Sequence, residues 1–218
     1  MIVDLRTYTL HPGHLGALFR LYAAEGYATQ TRHLGHPLGY YFVDIGPQNR
    51  VVHLWGYGDI AERAARRAAM EADPAWTAYR GRSAPMYQRQ DNKILRDAPF
   101  HPARTGPRGA FGVVDYRTYV VHPGKLGAML ALYEAAGLPL QLKYLGNTVG
   151  WYVSDIGPQN EVVHLWGYAD LEDRHRRRSA MQADPAWGAY LARATPLLLN
   201  MENAILRPAP FWSPAPRA

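Results

Sequence analysis

Residues 2–9 alternate between apolar and polar positions and carry Thr and Tyr, a period-two pattern that predicts a strand. Leu15, Leu18, Phe19 and Tyr22 then recur at helical spacing. Because proline suits a first helical position, His11-Pro12-Gly13 is expected to open that helix. Gly39 to Asp44 predicts a second strand, and the turn Asp44-Ile45-Gly46-Pro47-Gln48-Asn49 returns the chain antiparallel into Val51-Val52-His53-Leu54-Trp55-Gly56-Tyr57. Asp59 with Glu62 forms a capping pattern for a helix reaching about Ala72. Asp73-Pro74 caps a second, short helix carrying Trp76 and Tyr79, and a last strand is expected near Asn92 to Arg96. The resulting order, β-α-β-β-α-β, is ferredoxin-like.

The whole pattern occurs twice. Residues 3–100 overlay residues 114–211 at a constant offset of 111 without a gap, with identity at more than half the positions. Val162-Val163-His164-Leu165-Trp166-Gly167-Tyr168 repeats the central strand unchanged, and Leu126, Met129, Leu130 and Tyr133 repeat the helical stripe. A period of this size means two similar folded units and no solenoid. The expected organisation is a first domain over 1–100, a Pro- and Gly-rich linker over 101–112 and a second domain over 113–211, with a frayed or draped tail from Trp212 to Ala218. A ferredoxin-like unit leaves one sheet face bare. The expectation is therefore an α+β protein whose two sheets face each other as an intramolecular pseudo-dimer, with the imidazole-bearing strand of each unit indoors because the bare sheets close over one another.

Several motifs in order resemble the NIPSNAP domain: the run His-Leu-Trp-Gly-Tyr, the helix start Asp59 with Arg63, Arg66 and Arg67, Asp73-Pro74-Ala75-Trp76 with Tyr79, and the opening Arg6-Thr7-Tyr8-Thr9-Leu10 with Pro12-Gly13. The resemblance covers both units. It implies the dimeric α+β barrel superfamily, in which two ferredoxin-like domains pack sheet to sheet. That superfamily includes cofactor-free monooxygenases, small isomerases, decarboxylases and haem enzymes. NIPSNAP members have no single agreed chemistry, and some are associated with mitochondria or vesicle traffic in eukaryotes. The Arg and Ala bias of this chain looks bacterial, and Met1 leads straight into a strand without a signal-peptide pattern, so a cytoplasmic location is expected.

Composition removes whole classes of chemistry. The absence of cysteine excludes disulfides, thiolate catalysis and cysteine metal sites. No apolar run approaches the roughly 20 residues that a membrane helix needs, so no membrane partner is expected. The net charge of +6 raises nucleic acid as a partner. Lysine occurs only at Lys93, Lys125 and Lys143, and many arginines sit among acidic residues, so ion-paired surface is the expected use of the charge and nucleic acid is not an expected partner.

Alternation puts His53, Trp55 and Tyr57 on one face of their strand, and Arg6 and Tyr8 share a parity on the first strand. Imidazole exchanges protons near neutrality, and guanidinium binds carboxylate or enolate oxygen. This assigns His53 and His164 as general bases, Arg6 and Arg117 as oxyanion partners, and Tyr8 and Tyr119 as orienting hydroxyls, against a structural reading in which His53 bonds across the sheet and Arg6 pairs with Asp4 or Asp44. Tyr41, Trp55, Tyr57 and Trp76, with Tyr152, Trp166, Tyr168 and Trp187, are the substrate-binding candidates, with packing as their alternative use. Arg63, Arg66 and Arg67, with Arg174, Arg177 and Arg178, are expected in helix-surface ion pairs, or as sheet-facing anchors for an acidic ligand. His11 and His14, and His33 and His36, lie three apart, but the second unit has Lys125, Tyr144 and Asn147 where the first has His14, His33 and His36. No metal and no cofactor are expected. The function expected is that of a small-molecule protein of bacterial metabolism, a cofactor-independent oxygenase or isomerase on an aromatic, polyketide-like or acidic substrate. The alternative is a non-catalytic binding or interaction module, and a homo-oligomer of such chains is left open.

The units also differ. Met86-Tyr87-Gln88-Arg89 becomes Leu197-Leu198-Leu199-Asn200, so one half is polar where the other is greasy. At most one half is expected to bind the physiological ligand well, unless the difference is drift in an inert half.

Overall fold

The computed structural model describes residues 1–100 and 111–214. In the first unit, strand β1 (Ile2–Leu10) pairs antiparallel with β3 (Arg50–Tyr57) on one side and β4 (Tyr87–Asp97) on the other, and β2 (Gly39–Ile45) pairs with β3. The sheet order β4-β1-β3-β2 is ferredoxin-like. In this register Arg6 faces His53, and Tyr40 faces His53 from the other side. The last strand begins at Tyr87, well before the expected Asn92, because Asp91, Gln90 and Arg89 continue the ladder on Thr7, Tyr8 and Thr9, and past a bulge at Thr9/Leu10 Tyr87 pairs with Leu10.

Local chemistry sets the helices. Asp59 accepts the Glu62 N–H at 2.8 Å and starts α3 (Ile60–Glu71), while Glu62 reaches back to the Gly58 N–H. Asp73 accepts the Ala75 N–H at 2.9 Å and starts α4 (Pro74–Ser83). The first helical run departs from expectation at its start. Gly13 has a φ of +84°, which ends the Pro12-Gly13 turn in the left-handed region, so α1 spans Leu15–Leu21 and Pro12 lies outside it. A π turn over Tyr22–Gly26 then leads into α2 (Tyr27–Leu34). The widened turn carries the Tyr22 hydroxyl to Gln30 Oε1 at 2.5 Å.

The face of the sheet that bears Asp4, Arg6, Tyr8 and His53 is the one the helices cover. Arg63 of α3 reaches the fully buried Asp4 carboxylate at 2.8 Å, and Arg66 bonds the Leu34 carbonyl at 3.2 Å. His53, at 1 % exposure, is buried by aromatic rings and helices of its own unit. The expectation that a second bare sheet encloses this ring is thus corrected: its face already has a cover.

The second unit repeats these elements as β5 (Val113–Val121), α5 (Leu126–Leu132), a π turn (Tyr133–Gly137), α6 (Leu138–Tyr144), β6 (Thr148–Ile156), β7 (Glu161–Tyr168), α7 (Leu171–Gln182), α8 (Pro185–Ala194) and β8 (Leu198–Pro208). Its order, β8-β5-β7-β6, matches the first. By compactness the second unit runs Asp97–Leu206 and the first takes Met1–Arg96 with Arg207–Ala218. Phe211 packs among Phe19, Tyr22, Tyr27 and Tyr40, and the Ala209 N–H bonds the Tyr40 carbonyl at 2.9 Å. Trp212, expected in a frayed or draped tail, is 6 % exposed and donates to the Pro37 carbonyl at 3.3 Å, as a draped segment would. In the second unit Phe100 packs on Tyr133 and Trp151. Of the expected linker, 101–110 lies outside the described residues, as does 215–218 of the tail, whereas Gly112 bonds the Tyr168 carbonyl at 3.0 Å. Among the described residues no helix is long and apolar enough to cross a membrane.

The π turn yields a first prediction. A Cβ on Gly26 would lie 2.5 Å from the Tyr22 ring and 3.0 Å from that of Tyr79, both of them buried. Gly26→Ala is expected to destabilise the protein by about 1–3 kcal/mol through overpacking, measured by urea denaturation. A neutral result would show that the two rings have room to shift.

Candidate functional site

Between the sheet and helices α3 and α4 of the first unit lies a cavity of about 430 Å³, within the usual range for small-molecule sites. Period two on β1 and β3 aims Arg6, Tyr8 and His53 into it, and helical spacing adds Arg67 from α3 and Trp76 and Tyr79 from α4. Arg6 donates from Nη1 to the Tyr8 hydroxyl at 2.5 Å and from Nε to Asp4 at 3.1 Å. Burial by itself would lower the Arg6 pKa, but Tyr8 and Asp4 outweigh it and raise the pKa, so Arg6 is a permanent cation.

His53 Nδ1 accepts the indole N–H of Trp55 at 2.6 Å, while its Nε2 is buried without a partner. The ring is stacked on Tyr40 at 4.8 Å and met edge-on by Tyr8 at 4.8 Å. Burial, then the charges of Arg6 and Arg67, hold its pKa well below the ordinary histidine value, so the imidazole is neutral. Arg67 Nη1 is also buried without a hydrogen bond, and the Tyr57 hydroxyl feels its charge without reaching hydrogen-bond geometry. Burial raises the pKa of Tyr22, Tyr40, Tyr79 and Tyr87, so these hydroxyls at the cavity wall are neutral. Beneath them one carboxylate, Asp4, is paired with the guanidiniums of Arg6 and Arg63, and Arg67 adds a third. Glu71, also at the wall, is held by Arg80. The interior therefore carries excess positive charge.

Of the sequence-derived candidates, the structure brings Arg6, Tyr8, His53 and Trp76 together at this cavity. Trp55 bonds the far side of the imidazole, and Tyr57 sits beside Arg67. Tyr41 is in register with Val52, on the opposite sheet face, and packs edge-on against Trp212 at 5.2 Å, so it does not join the site. The arginines expected on the helix surface diverge: Arg63 turns inward to Asp4, Arg66 bonds Glu62 and Leu34, and Arg67 borders the cavity. Their counterparts divide similarly, with Arg174 on Asp115 at 2.9 Å and Arg177 on Asp173 at 2.7 Å. His33 bonds Asp73 at 2.8 Å and His36 the Ser213 carbonyl at 3.1 Å, which separates that histidine pair. Among the described residues no cluster of three His, Asp or Glu could hold a metal ion.

Sequence reasoning missed Tyr40, Gln30 and Ser83, and it read Tyr22 as core stripe alone. Tyr87 had a signal, the polar-for-leucine difference between the units.

The second unit keeps the inner machinery. Arg117 donates to Tyr119 at 2.7 Å and to Asp115 at 3.0 Å, Tyr119 meets His164 edge-on at 4.9 Å, and Trp166 donates to His164 Nδ1 at 2.9 Å. Burial, then Arg117 and Arg178, hold the His164 pKa well below normal. Tyr152 is in register with Val163 and so lies on the opposite face, Tyr168 is buried on β7, and Trp187 packs on Tyr190 at 4.9 Å. The walls differ. Trp151 stands where Tyr40 does and lies over His164 at 5.5 Å, and Ala194 and Leu198 join one apolar cluster with it in place of Ser83 and Tyr87.

The NIPSNAP family profile matches residues 3–102 and 114–214. The chain belongs to the NIPSNAP family. A NipSnap homolog from Dictyostelium discoideum is 28 % identical over 211 residues, 95 % of this chain and 87 % of that one. NipSnap homolog 2 from Danio rerio is 27 % identical over 164 residues, and the match spans 75 % of this chain but only 56 % of the fish protein. In fold, this NIPSNAP chain is similar to a protein from Fusobacterium nucleatum provisionally named a monooxygenase, with a TM-score of 0.62 and 10 % identity over 95 % of this chain and 92 % of that one. The likeness places the chain, an α+β protein with two ferredoxin-like units, in the dimeric α+β barrel class.

Proposed function

We propose that this NIPSNAP protein binds a small, planar, anionic molecule in the cavity of its first unit. The ligand is an aromatic or polyketide-like compound with an ionised phenol, enol or carboxyl group, and the protein stabilises its oxyanion for cofactor-independent oxygenation or isomerisation. The observation that carries this reading is the convergence of Arg6, Arg67 and the unpartnered Nε2 of His53 on one cavity of about 430 Å³ with aromatic walls. A buried site with excess positive charge and unfilled hydrogen-bonding groups is complementary to an anion. An oxygenase of this kind would convert a substrate methylene and dioxygen into a carbonyl and water, using the electrons of the bound carbanion.

The test is calorimetry on the full chain with naphthalene-carboxylate and its uncharged carboxamide. The carboxylate is expected to bind at least about tenfold more tightly, as one charge-assisted hydrogen bond implies, and Arg67→Met is expected to erase most of that preference. Equal affinities for the two compounds would end the anionic reading.

One observation favours a second reading, a module that holds its ligand without turnover. The interior carboxylate is committed to arginines and the wall phenols are neutral, which leaves little to accept a proton. Oxygen uptake with a dihydroxyanthrone separates the two, since tight binding without uptake would support the module.

A further inference from the structure

We infer that Trp55 is a positioning residue that holds His53 in its Nε2–H form, so that His53 meets the ligand as a hydrogen-bond donor to a deprotonated oxygen and does not take its proton. The statement about the ring stands on the free protein's geometry, and only the statement about the ligand rests on the anionic reading above.

An indole N–H can only donate. Since Trp55 donates to His53 Nδ1 at 2.6 Å, that nitrogen is the unprotonated one, and the proton of the neutral ring is on Nε2. The two residues are two apart on β3, hence on one face, and both are buried. The stack on Tyr40 at 16° and the Tyr8 edge at 83° hold the ring plane, and a half-turn within that plane would put a carbon where Nδ1 now receives the indole N–H. What remains is a buried N–H at the cavity wall with nothing to receive it, an arrangement that costs free energy until an acceptor arrives. With Arg6 and Arg67 beside it, the group has the composition of an oxyanion hole.

The consequence reverses the role that the sequence suggested. A base at His53 would need the lone pair that Trp55 occupies. The ligand must therefore arrive ionised, its proton already lost to solvent, which selects carboxylates, acidic phenols and stabilised enols over ketones and alcohols. Trp166 and His164 repeat the bond at 2.9 Å, so the device belongs to the strand sequence and not to the polar wall of the first unit.

The test is nitrogen-15 NMR of the labelled full chain without ligand, with His53→Asn and His164→Asn used to assign the two rings. The expected result is a neutral His53 protonated on Nε2, with a scalar coupling across the N–H···N bond from the Trp55 indole. A His53 protonated on Nδ1, or a charged ring at neutral pH, would overturn the inference. Trp55→Phe is expected to abolish the coupling, to mix the tautomers and to weaken carboxylate binding by the factor by which the Nε2–H population falls, about twofold for an even mixture. His53→Asn, whose Oδ1 still receives the indole N–H, should lose the carboxylate-over-carboxamide preference while keeping stability. If Trp55→Phe does not fold, the wild-type spectrum still decides. The expected tautomer with no carboxylate preference would retire the anionic ligand and leave the role of Trp55 intact, and an unchanged tautomer in Trp55→Phe would refute that role.

Discussion

Asp4→Ala is expected to destabilise the first unit by about 3–5 kcal/mol, the usual cost of removing one partner from a buried charge pair. The Asp4 carboxylate has no exposed surface and lies 3.1 Å from Arg6 Nε and 2.8 Å from Arg63 Nε, with Asn92 at 3.4 Å. Removing it leaves two guanidiniums under the helices facing each other and Arg67. Arg63, at 20 % side-chain exposure, can swing partly toward water, which favours the lower end of the range. Asp44→Ala is the control: its pair with Arg207 at 2.8 Å has side chains 30 % and 46 % exposed, and exposed pairs contribute about 0–1 kcal/mol. Urea denaturation of both variants reads the difference. Similar small losses would mean that the arginines beneath the cavity solvate themselves without Asp4, and the account of the site's electrostatics would fail.

The second large effect is a fall in stability on mild acidification. As the pH drops through about 6.5, each imidazole of the unfolded chain takes up a proton. In the folded chain His53 and His164 do not, because burial and neighbouring arginines hold their pKa values well below that point. The unfolded state then binds more protons, so stability is complete above about pH 6.5 and is lost as the pH falls toward the folded values. The expected slope is about 1.4 kcal/mol per pH unit for each ring, or about 2.7 for both. Replacing both rings by asparagine keeps an acceptor for each indole N–H and removes the titration. The difference in slope between wild type and this double variant, measured by denaturant titrations from pH 7.5 downward, reads the two rings alone. Superimposable slopes would show that the folded rings protonate as freely as the unfolded ones.

Both predictions concern residues whose identities were visible in the sequence while their surroundings were not. Asp4, Arg6 and Tyr8 share a parity on one strand, and His53 and Trp55 share one on another. Parity says which side chains travel together, but it does not say which face the helices cover. β3 is buried at Val51, Val52, His53, Leu54 and Trp55 alike, so neither face of it has a polar signature. That is why the sheet face of His53 was misassigned. The same limit hid Tyr40, which reaches the imidazole only through the cross-strand register, and Phe211, which packs on Tyr22 from far along the chain.

What the sequence determined by itself was whatever depends on neighbours a few residues away or on exact repetition. The duplication at an offset of 111 established two units. The caps at Asp59 and Asp73 and the alternation on the strands established each unit's element order, because capping bonds and side-chain direction are local geometry. Tertiary structure alone decided which arginine of α3 turns inward and which tyrosines form a wall instead of a core. Those outcomes depend on the docking of helices against a sheet face, a contact between residues tens of positions apart whose energy no short window of sequence contains.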